Sequence, residues 1–172
     1  MLADLGEIEH QAGNLVEAAR LIREAYEGLV ASGDRSYSST EAVNLGRVLL
    51  DLHEDEEALR FGTIARETSS SDDVMSQAGG RSVQARVLSR RGDHAEAETL
   101  AREAVEIMAR TDYLDQHAAA LIHLGHVLAA AGRREEAAAA AREALALFDR
   151  KGASFHVERT RRLIDEWAQA DG

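Results

Sequence analysis

The chain has 172 residues and no cysteine, and 45% of its residues are hydrophobic although only 4% are aromatic. This length allows one domain, the absence of cysteine excludes disulfides and thiolate metal sites, and the scarcity of aromatic residues argues against β-strands. The formal net charge of −11 argues against nucleic-acid binding, because phosphate contacts need a basic surface.

One seven-residue phrase recurs four times along the chain. Its copies begin at residues 13, 53, 92 and 132, so the spacing is 40, 39 and 40 residues. We call the first residue of each copy the anchor. Self-similarity at a fixed period of this size identifies a repeat protein.

Small residues recur in register on both sides of each anchor. Seven residues before the anchors stand Gly6, Gly46, Ala85 and Gly125, and five residues after them stand Ala18, Ala58, Ala97 and Ala137. Short or missing side chains let two helical backbones approach closely. Each repeat is therefore predicted to be a pair of helices, which we name its first helix and its second helix.

The first predicted helix covers residues 1–12, with Leu2, Leu5 and Ile8 as its buried stripe. It starts closer to its anchor than the first helices of the later repeats do. We therefore expect residue 1 to be the cut edge of a larger protein.

The next three helices complete the first two repeats. The second helix of repeat one is predicted over residues 15–31, and Gly33 can end it in the left-handed conformation. Ser38 and Glu41 have the spacing of a capping box, which predicts the start of a helix that runs to about residue 52. Its partner is predicted over residues 55–68.

Repeat three contains a double glycine, Gly79-Gly80, within its first helix. Each glycine costs about 1 kcal/mol relative to alanine in a helix, so a bend or a late start is expected here. Two interpretations stay open: loose packing, or a site where the backbone of a ligand comes close. The second helix of this repeat is predicted over residues 94–110.

The rest of the chain continues the same period. Two helices are predicted over residues 113–131 and 134–150, and a last helix over about residues 154–170. Trp167 lies 40 residues after Val127, so this last helix is in register as half of a fifth repeat. Its polar residues, Glu158, Arg159, Arg161, Arg162 and Glu166, predict a terminal capping helix with one exposed face.

The pattern resembles the tetratricopeptide repeat (TPR), whose signature runs Leu-Gly, Gly, Ala, Ala. The Leu-Gly pair occurs as Leu5-Gly6, Leu45-Gly46 and Leu124-Gly125, with Gln84-Ala85 as a degenerate copy. The period of about 40 residues and the lack of proline depart from the usual TPR unit. They resemble the long-period variety of kinesin light chains and of bacterial regulators, which bind peptides and proteins.

The resemblance implies an all-α fold, a right-handed α-solenoid of four TPR-like helix pairs with a C-terminal capping helix. We expect a single domain over residues 1–172. Its repeats are predicted over residues 1–33, 34–72, 73–112 and 113–152, and the capping helix over residues 153–170.

The resemblance also implies a peptide-binding groove lined by the first helices. At three register positions this groove holds Glu7, Arg47, Arg86 and His126, then Asn44, Val83 and His123, then Gln11, Asp51, Arg90 and Ala130. The peptide-binding residues predicted from this register are Asn44, Arg47, Asp51, Arg86, Arg90, His123 and His126. The family's clamp for peptide C-termini is absent, because Val43, Ser82 and Ile122 stand where it needs lysine.

The arginines of this groove predict a partner that carries carboxylates. Our hypothesis is that Arg47, Arg86 and Arg90, with Asn44, receive an acidic peptide, since arginine can pair with a carboxylate through two hydrogen bonds. The alternative is that these arginines pair with Asp51 and neighbouring acids on a solvated surface.

No cofactor, metal ion or catalytic set is predicted. His123 and His126 have a spacing that metals can use, but no third ligand is evident, which favours two groove or surface imidazoles. The sequence has no nucleophile elbow and no phosphate-binding loop. An enzyme is therefore the least expected class.

The leading prediction is a protein-binding or peptide-binding TPR scaffold in a bacterial regulatory or assembly protein. The alternatives are a homodimer formed through the solenoid ends and a sensor of a small ligand or signalling peptide. The Ala and Arg bias, with Lys151 as the only lysine, is typical of a GC-rich bacterial genome. With no apolar run and no signal pattern, a cytoplasmic location is expected and no membrane partner.

Overall fold

The computed structural model describes residues 1–152 and 154–169, and within them the chain is helical without a β-strand. The helices are α1 Leu2–Ala12, α2 Leu15–Ser32, α3 Arg35–Asp51, α4 Asp55–Thr68, α5 Val74–Arg91, α6 His94–Ala109, α7 Leu114–Ala130, α8 Arg134–Lys151 and α9 Ser154–Ala168. The predicted order of paired helices is confirmed, with bounds that differ by a few residues at most.

The anchor residues end the first helices in the left-handed conformation. Gly13, Gly92 and Gly132 have φ values of 83°, 90° and 78°, and His53 at the same register position has a φ of 61°. Glycine adopts this conformation without the steric cost that other residues meet. The repeated phrase therefore begins with glycine because the turn between paired helices requires it.

Backbone contacts divide the chain into two compact units, Met1–Val87 and Leu88–Gly172. In the first unit, buried side chains of α2, α3, α4 and α5 form one hydrophobic core, with Ile22, Leu45, Phe61 and Val83 among its members. In the second unit, α6 packs on α7, α7 on α8, and α8 on α9. None of the helices in the described residues has the length and apolarity that crossing a bilayer requires.

The glycines of the Leu-Gly pairs lie where the two helices of a repeat touch. A Cβ atom built on each of them would lie 3.2 to 3.6 Å from the carbonyl oxygen of the alanine five residues after the anchor. The three pairs are Gly6 with Ala18, Gly46 with Ala58, and Gly125 with Ala137. This confirms that the small residues of the pattern allow close contact between paired helices.

The predicted capping box is wrong. Helix α3 begins at Arg35 and is capped by Asp34, whose Oδ1 accepts a hydrogen bond from the Tyr37 backbone N–H at 3.2 Å. Ser38 lies inside the helix and donates its hydroxyl to the Arg35 carbonyl at 3.1 Å. Glu41 is only 8% exposed. Asp34 caps the helix one turn before Ser38, and its negative charge also suits the positive end of the helix dipole.

The bend or late start predicted at Gly79-Gly80 is also wrong, because α5 is continuous from Val74 to Arg91. A Cβ on Gly79 would lie 2.5 Å from Val43 Cγ1, and one on Gly80 would lie 2.6 Å from the Gly62 carbonyl oxygen. Packing here is therefore tight rather than loose. The atoms that come close are the Val43 side chain of α3 and the Gly62 backbone of α4.

The stripe predicted as buried on α1 is exposed. Leu2, Leu5 and Ile8 are 37%, 49% and 60% exposed. The neighbouring helices, rather than apolarity, decide this result, because these side chains need a helix that the described structure does not place beside them.

Candidate peptide-binding site

Four of the predicted site residues lie on two neighbouring first helices of the first unit. Asn44, Arg47 and Asp51 project from α3 and Arg86 from α5, and each is partly exposed. We call these four residues the α3–α5 face. Helices α3 and α5 run in the same direction, since α3 residues 39 and 46 contact α5 residues 76 and 83 in that order.

A buried carboxyl group borders this face. Asn44 Nδ2 donates a hydrogen bond to Glu41 Oε2 at 3.2 Å. Burial raises the pKa of Glu41, the hydrogen bond from Asn44 opposes that shift, and the carboxylates of Glu7 and Asp4 on α1 raise it further. The α1 edge of the α3–α5 face is therefore acidic.

We expect Glu41→Gln to stabilise the chain at neutral pH, on the order of 2 °C in the unfolding midpoint. The raised pKa of Glu41 means that its charged form costs stability in the folded state. This cost is full above the folded pKa and disappears as the pH falls toward the ordinary value of 4.5. Thermal unfolding of both proteins between neutral and acidic pH should show the gap closing, and a constant gap would contradict this account.

Asp51 holds two first helices of the first unit together. Its Oδ2 atom lies 2.8 Å from His10 Nε2 on α1. Asp51 therefore has a structural partner, and its contribution to the α3–α5 face is to position the end of α3.

Arg47 is the cation of the α3–α5 face that is best placed for a ligand. It is partly exposed, and it makes no hydrogen bond or ion pair with any residue that the structure describes. Its guanidinium offers five N–H donors in a planar fork that matches a carboxylate.

Three further predicted residues lie in the second unit. Arg90 is exposed in the last turn of α5, and His123 and His126 are partly buried on α7. The His126 ring meets the edge of Trp167 from α9, with centroids 5.0 Å apart and an interplanar angle of 85°. In the part of the chain that is described, no three side chains are grouped to hold a metal ion.

The sequence did not predict that Glu41 borders the site, and it placed Val83 in the groove incorrectly. Val83 is fully buried, so the groove position nine residues before the third anchor does not face solvent. Glu41 lies twelve residues before its anchor, a position at which the third and fourth repeats have the small residues Gly80 and Ala120. A large acidic residue at a register position that is otherwise small marks a departure from the packing pattern.

A cavity of about 420 Å³ in the first unit lies away from the α3–α5 face. Arg20 and Arg23 of α2 line it, together with Leu49 and Leu52. Both arginines already pair with glutamates of the chain. Size alone therefore does not make this cavity the carboxylate site.

Comparisons with known proteins match the repeat. A profile of the tetratricopeptide repeat matches residues 81–150, and a second profile of this repeat matches residues 2–24. Together the two matches span more than half of the chain. No curated protein matches the sequence.

Solved structures with little sequence identity share the fold. A Rap protein complexed with Competence and Sporulation Factor is 16% identical, with a TM-score of 0.76 over 98% of this chain and 54% of that one. BtubC (BKLC) from P. vanneervenii is 18% identical, with a TM-score of 0.62 over 99% of this chain and 65% of that one. TPR-like repeats assigned to a kinesin light chain of Podospora anserina are 18% identical, with a TM-score of 0.64 over 99% of this chain and 85% of that one.

The chain thus spans about half of the Rap protein and just under two thirds of BtubC. These likenesses confirm the predicted all-α solenoid fold built from TPR-like helix pairs. Together with the repeat profiles and the helix pairs, they support one conclusion: the chain belongs to the tetratricopeptide repeat family.

Proposed function

We propose that this chain is a binding scaffold that holds an acidic peptide segment of another protein on its α3–α5 face. The observation that carries the proposal is Arg47, a partly exposed arginine with no hydrogen-bond or ion-pair partner among the described residues. Arg86 stands at the same register position on the neighbouring helix. Two guanidinium groups on adjacent helices suit two carboxylates on one peptide.

The charges around the face also indicate where on it an acidic peptide binds. The α1 edge carries Glu7 and the buried Glu41, whereas Arg47 and Arg86 lie on α3 and α5. An acidic segment is repelled by the α1 edge and attracted by the arginines. Complementary charge of this kind contributes to specificity and to the rate of association.

The second unit carries further candidate peptide-binding residues of its own. Arg90, His123 and His126 are its candidates, with Arg90 exposed and both histidines partly buried. His126 packs on Trp167, so its ring is held in place by the capping helix. Arg90 is the residue of this group that is most accessible to a carboxylate.

Likeness to the Rap structure supports a binding role in a bacterial regulatory or assembly protein. That protein was solved with Competence and Sporulation Factor bound. Because the two proteins share a fold, we propose that this chain also uses its helical scaffold to bind a partner. The composition bias toward Ala and Arg is typical of a GC-rich bacterial genome, which agrees with a bacterial source.

A selection from a random peptide library displayed on phage tests the proposal. We expect the wild-type chain to enrich peptides that contain two or more acidic residues. The double variant Arg47→Glu/Arg86→Glu should bind the selected peptides about 10 to 100 times more weakly, as loss of charge-assisted hydrogen bonds predicts. Isothermal titration calorimetry with one selected peptide measures this change.

Two controls keep the result specific. Arg142→Glu, at an exposed position on α8, changes the net charge without touching the α3–α5 face and should bind like the wild type. Arg47→Lys keeps the charge but loses the planar fork, so it should bind with intermediate affinity. Enrichment of neutral or basic peptides, or equal binding by the double variant, would overturn the proposal.

A further inference from the structure

A groove runs along α2 in the first unit, away from the α3–α5 face. Its volume is about 420 Å³, and its other walls are Leu49 and Leu52 at the end of α3 and Glu54 at the start of α4. Its lining residues on α2 extend from Val16 to Glu27, which at about 1.5 Å per residue is about 16 Å of helix. We call this cavity the α2 groove. Its length suits about three turns of a second helix.

The α2 groove contains an apolar strip. Val16 is 76% exposed, although its register position holds glutamate in the second and fourth repeats, as Glu56 and Glu135. Leu52, which also lines the groove, is partly exposed. These two side chains can be covered by apolar side chains of a bound molecule, which removes apolar surface from water.

The arginines of the α2 groove are already paired within the chain. Arg20 donates hydrogen bonds of 2.7 Å to Glu17 and 3.1 Å to Glu24. Arg23 donates two hydrogen bonds of 2.8 Å each to Glu57. Both cations of the groove are therefore neutralised by neighbouring carboxylates.

Two further carboxylates of the groove, Glu27 and Glu54, are exposed and have no such partner. The side chain of neither residue makes a hydrogen bond or an ion pair with any residue that the structure describes. Their charges reach Arg23, whose pKa is raised mainly by the hydrogen bond with Glu57, while burial opposes the shift and Glu27 and Glu54 add to it. The groove therefore combines an apolar strip with two carboxylates that the chain leaves uncompensated.

The second unit places a cation at the corresponding turn. Arg133 precedes α8 as its N-cap, at the register position that Glu54 holds before α4. Its guanidinium donates hydrogen bonds to Glu98 of α6 and to Glu136 of α8. The second unit thus bridges its second helices with an arginine from this turn, whereas the first unit has a carboxylate in its place.

We propose that the α2 groove docks a basic amphipathic helix of a partner protein. Arginines of this helix pair with Glu27 and Glu54, and its apolar side chains cover Val16 and Leu52. Charge complementarity favours this occupant over an acidic segment. A second copy of the chain is disfavoured, because each copy carries a net charge of −11.

A further repeat stacked before α1 would leave the α2 groove open. The second repeat shows this, because α2 precedes it in the stack and packs on α3. Glu56 and Glu67, at the register positions of Val16 and Glu27, are nevertheless exposed. The occupant is therefore a separate molecule rather than a neighbouring repeat.

A synthetic helix is the probe that tests the proposal. It is a hydrocarbon-stapled, fluorescently labelled peptide of leucine, alanine and arginine, with the leucines in one stripe and arginines on both sides of it. A preformed helix is needed because helix nucleation is costly for a short linear peptide, including those of the phage library. Fluorescence anisotropy follows its binding to the whole chain, and a second peptide with citrulline in place of arginine keeps the shape without the charge.

We expect Glu27→Lys/Glu54→Lys to weaken binding of the arginine helix about tenfold or more, and Val16→Ser to weaken it several times. Glu54 makes no capping hydrogen bond with its side chain, so its replacement leaves the start of α4 intact. Glu106→Lys/Glu143→Lys makes the same change of net charge at exposed positions of the second unit and should bind like the wild type. Circular dichroism confirms that the variants are folded.

Three results would overturn the proposal. They are equal binding of the arginine helix to Glu27→Lys/Glu54→Lys, equal binding of the citrulline helix to the wild type, and the same loss of binding in Glu106→Lys/Glu143→Lys. The last result would mean that net charge alone attracts the helix. A dimer of the chain that Glu27→Lys/Glu54→Lys dissociates, measured by light scattering, would instead assign the groove to a second copy and would also overturn the partner helix.

The test is independent of the proposed acidic-peptide site. Arg47→Ala/Arg86→Ala should leave the arginine helix bound, and Glu27→Lys/Glu54→Lys should keep the affinity for a selected acidic peptide. Loss of one ligand without the other therefore shows which of the two surfaces fails.

Discussion

Replacing Gly80 with alanine is expected to destabilise the chain by up to about 2 kcal/mol, although glycine is a poor helix former. Alanine gains about 1 kcal/mol of helix propensity. Its Cβ would lie 2.6 Å from the Gly62 carbonyl oxygen and 2.7 Å from Arg66 Cγ. Because the nearest atom belongs to a backbone, α4 and α5 must move apart, and overpacking of this kind costs about 1 to 3 kcal/mol or more.

Gly28 provides the matched control for this prediction. It lies inside α2, and a Cβ built on it would meet no atom within 4 Å. Gly28→Ala should therefore stabilise the chain by about 0.5 to 1 kcal/mol. Urea unfolding followed by circular dichroism measures both changes, and a stabilising Gly80→Ala would contradict the tight contact of α4 and α5.

A double-mutant cycle at the neighbouring Gly79 tests the contact between α3 and α5. A Cβ on Gly79 would meet Val43 Cγ1 at 2.5 Å, which is a side-chain atom. Gly79→Ala alone should destabilise the chain, and Val43→Ala in the same molecule should recover part of the loss. Additive effects of the two substitutions would show that they do not share a contact.

Local signals explain why the positions of the helices could be predicted from the sequence. The turn between paired helices requires a left-handed residue, and Gly13, Gly92 and Gly132 mark three of these turns directly. Gly33 marks the end of α2 in the same way, with a φ of 78°. Such conformations depend on the residue itself, so they can be recognised without knowledge of the neighbouring helices.

Burial depends instead on which helix lies next to a residue. Leu5 and Leu45 have the same type and the same register position, yet one is 49% exposed and the other is fully buried. The residue type and the register position therefore do not explain why one leucine is exposed and the other is buried. Similarly, the tight contacts at Gly79 and Gly80 come from α3 and α4, so a double glycine in the sequence was equally consistent with loose packing.

The candidate site could be predicted in part for the same reason. The register placed Asn44, Arg47, Asp51 and Arg86 on adjacent first helices because every repeat folds alike. It could not show that Asn44 donates to Glu41 or that His10 contacts Asp51. These contacts join residues that differ between repeats, so a shared pattern carries no information about them.

Trp167→Ala is expected to cost about 3 to 5 kcal/mol, the range for removing a large buried aromatic side chain. Trp167 is only 6% exposed, and it stands at the register position of Val127 on the capping helix. A Cβ on Gly125 would lie 2.6 Å from Trp167 Cζ3 and 2.8 Å from Cη2. The glycine therefore makes the room that the indole ring fills.

We expect Trp167→Ala to loosen helix α9 before it unfolds the rest of the second unit. Helix α9 packs on α8, so losing the indole should raise hydrogen exchange of the α9 amides more than that of α7. Trp167→Phe keeps a ring in the same space and should recover most of the stability, and Glu166→Ala, at an exposed position on the same helix, should change little. Uniform exchange across the second unit would show that α9 is not a separate capping element.

The same variant connects the capping helix to the proposed binding surface. His126 contacts the Trp167 ring at a centroid distance of 5.0 Å, so Trp167→Ala should remove this ring contact while leaving the α3–α5 face of the first unit unchanged. An acidic peptide that binds through Arg47 and Arg86 should then keep its affinity for the variant. A peptide that is held by His126 instead should bind several times more weakly, and calorimetry with selected peptides separates the two cases.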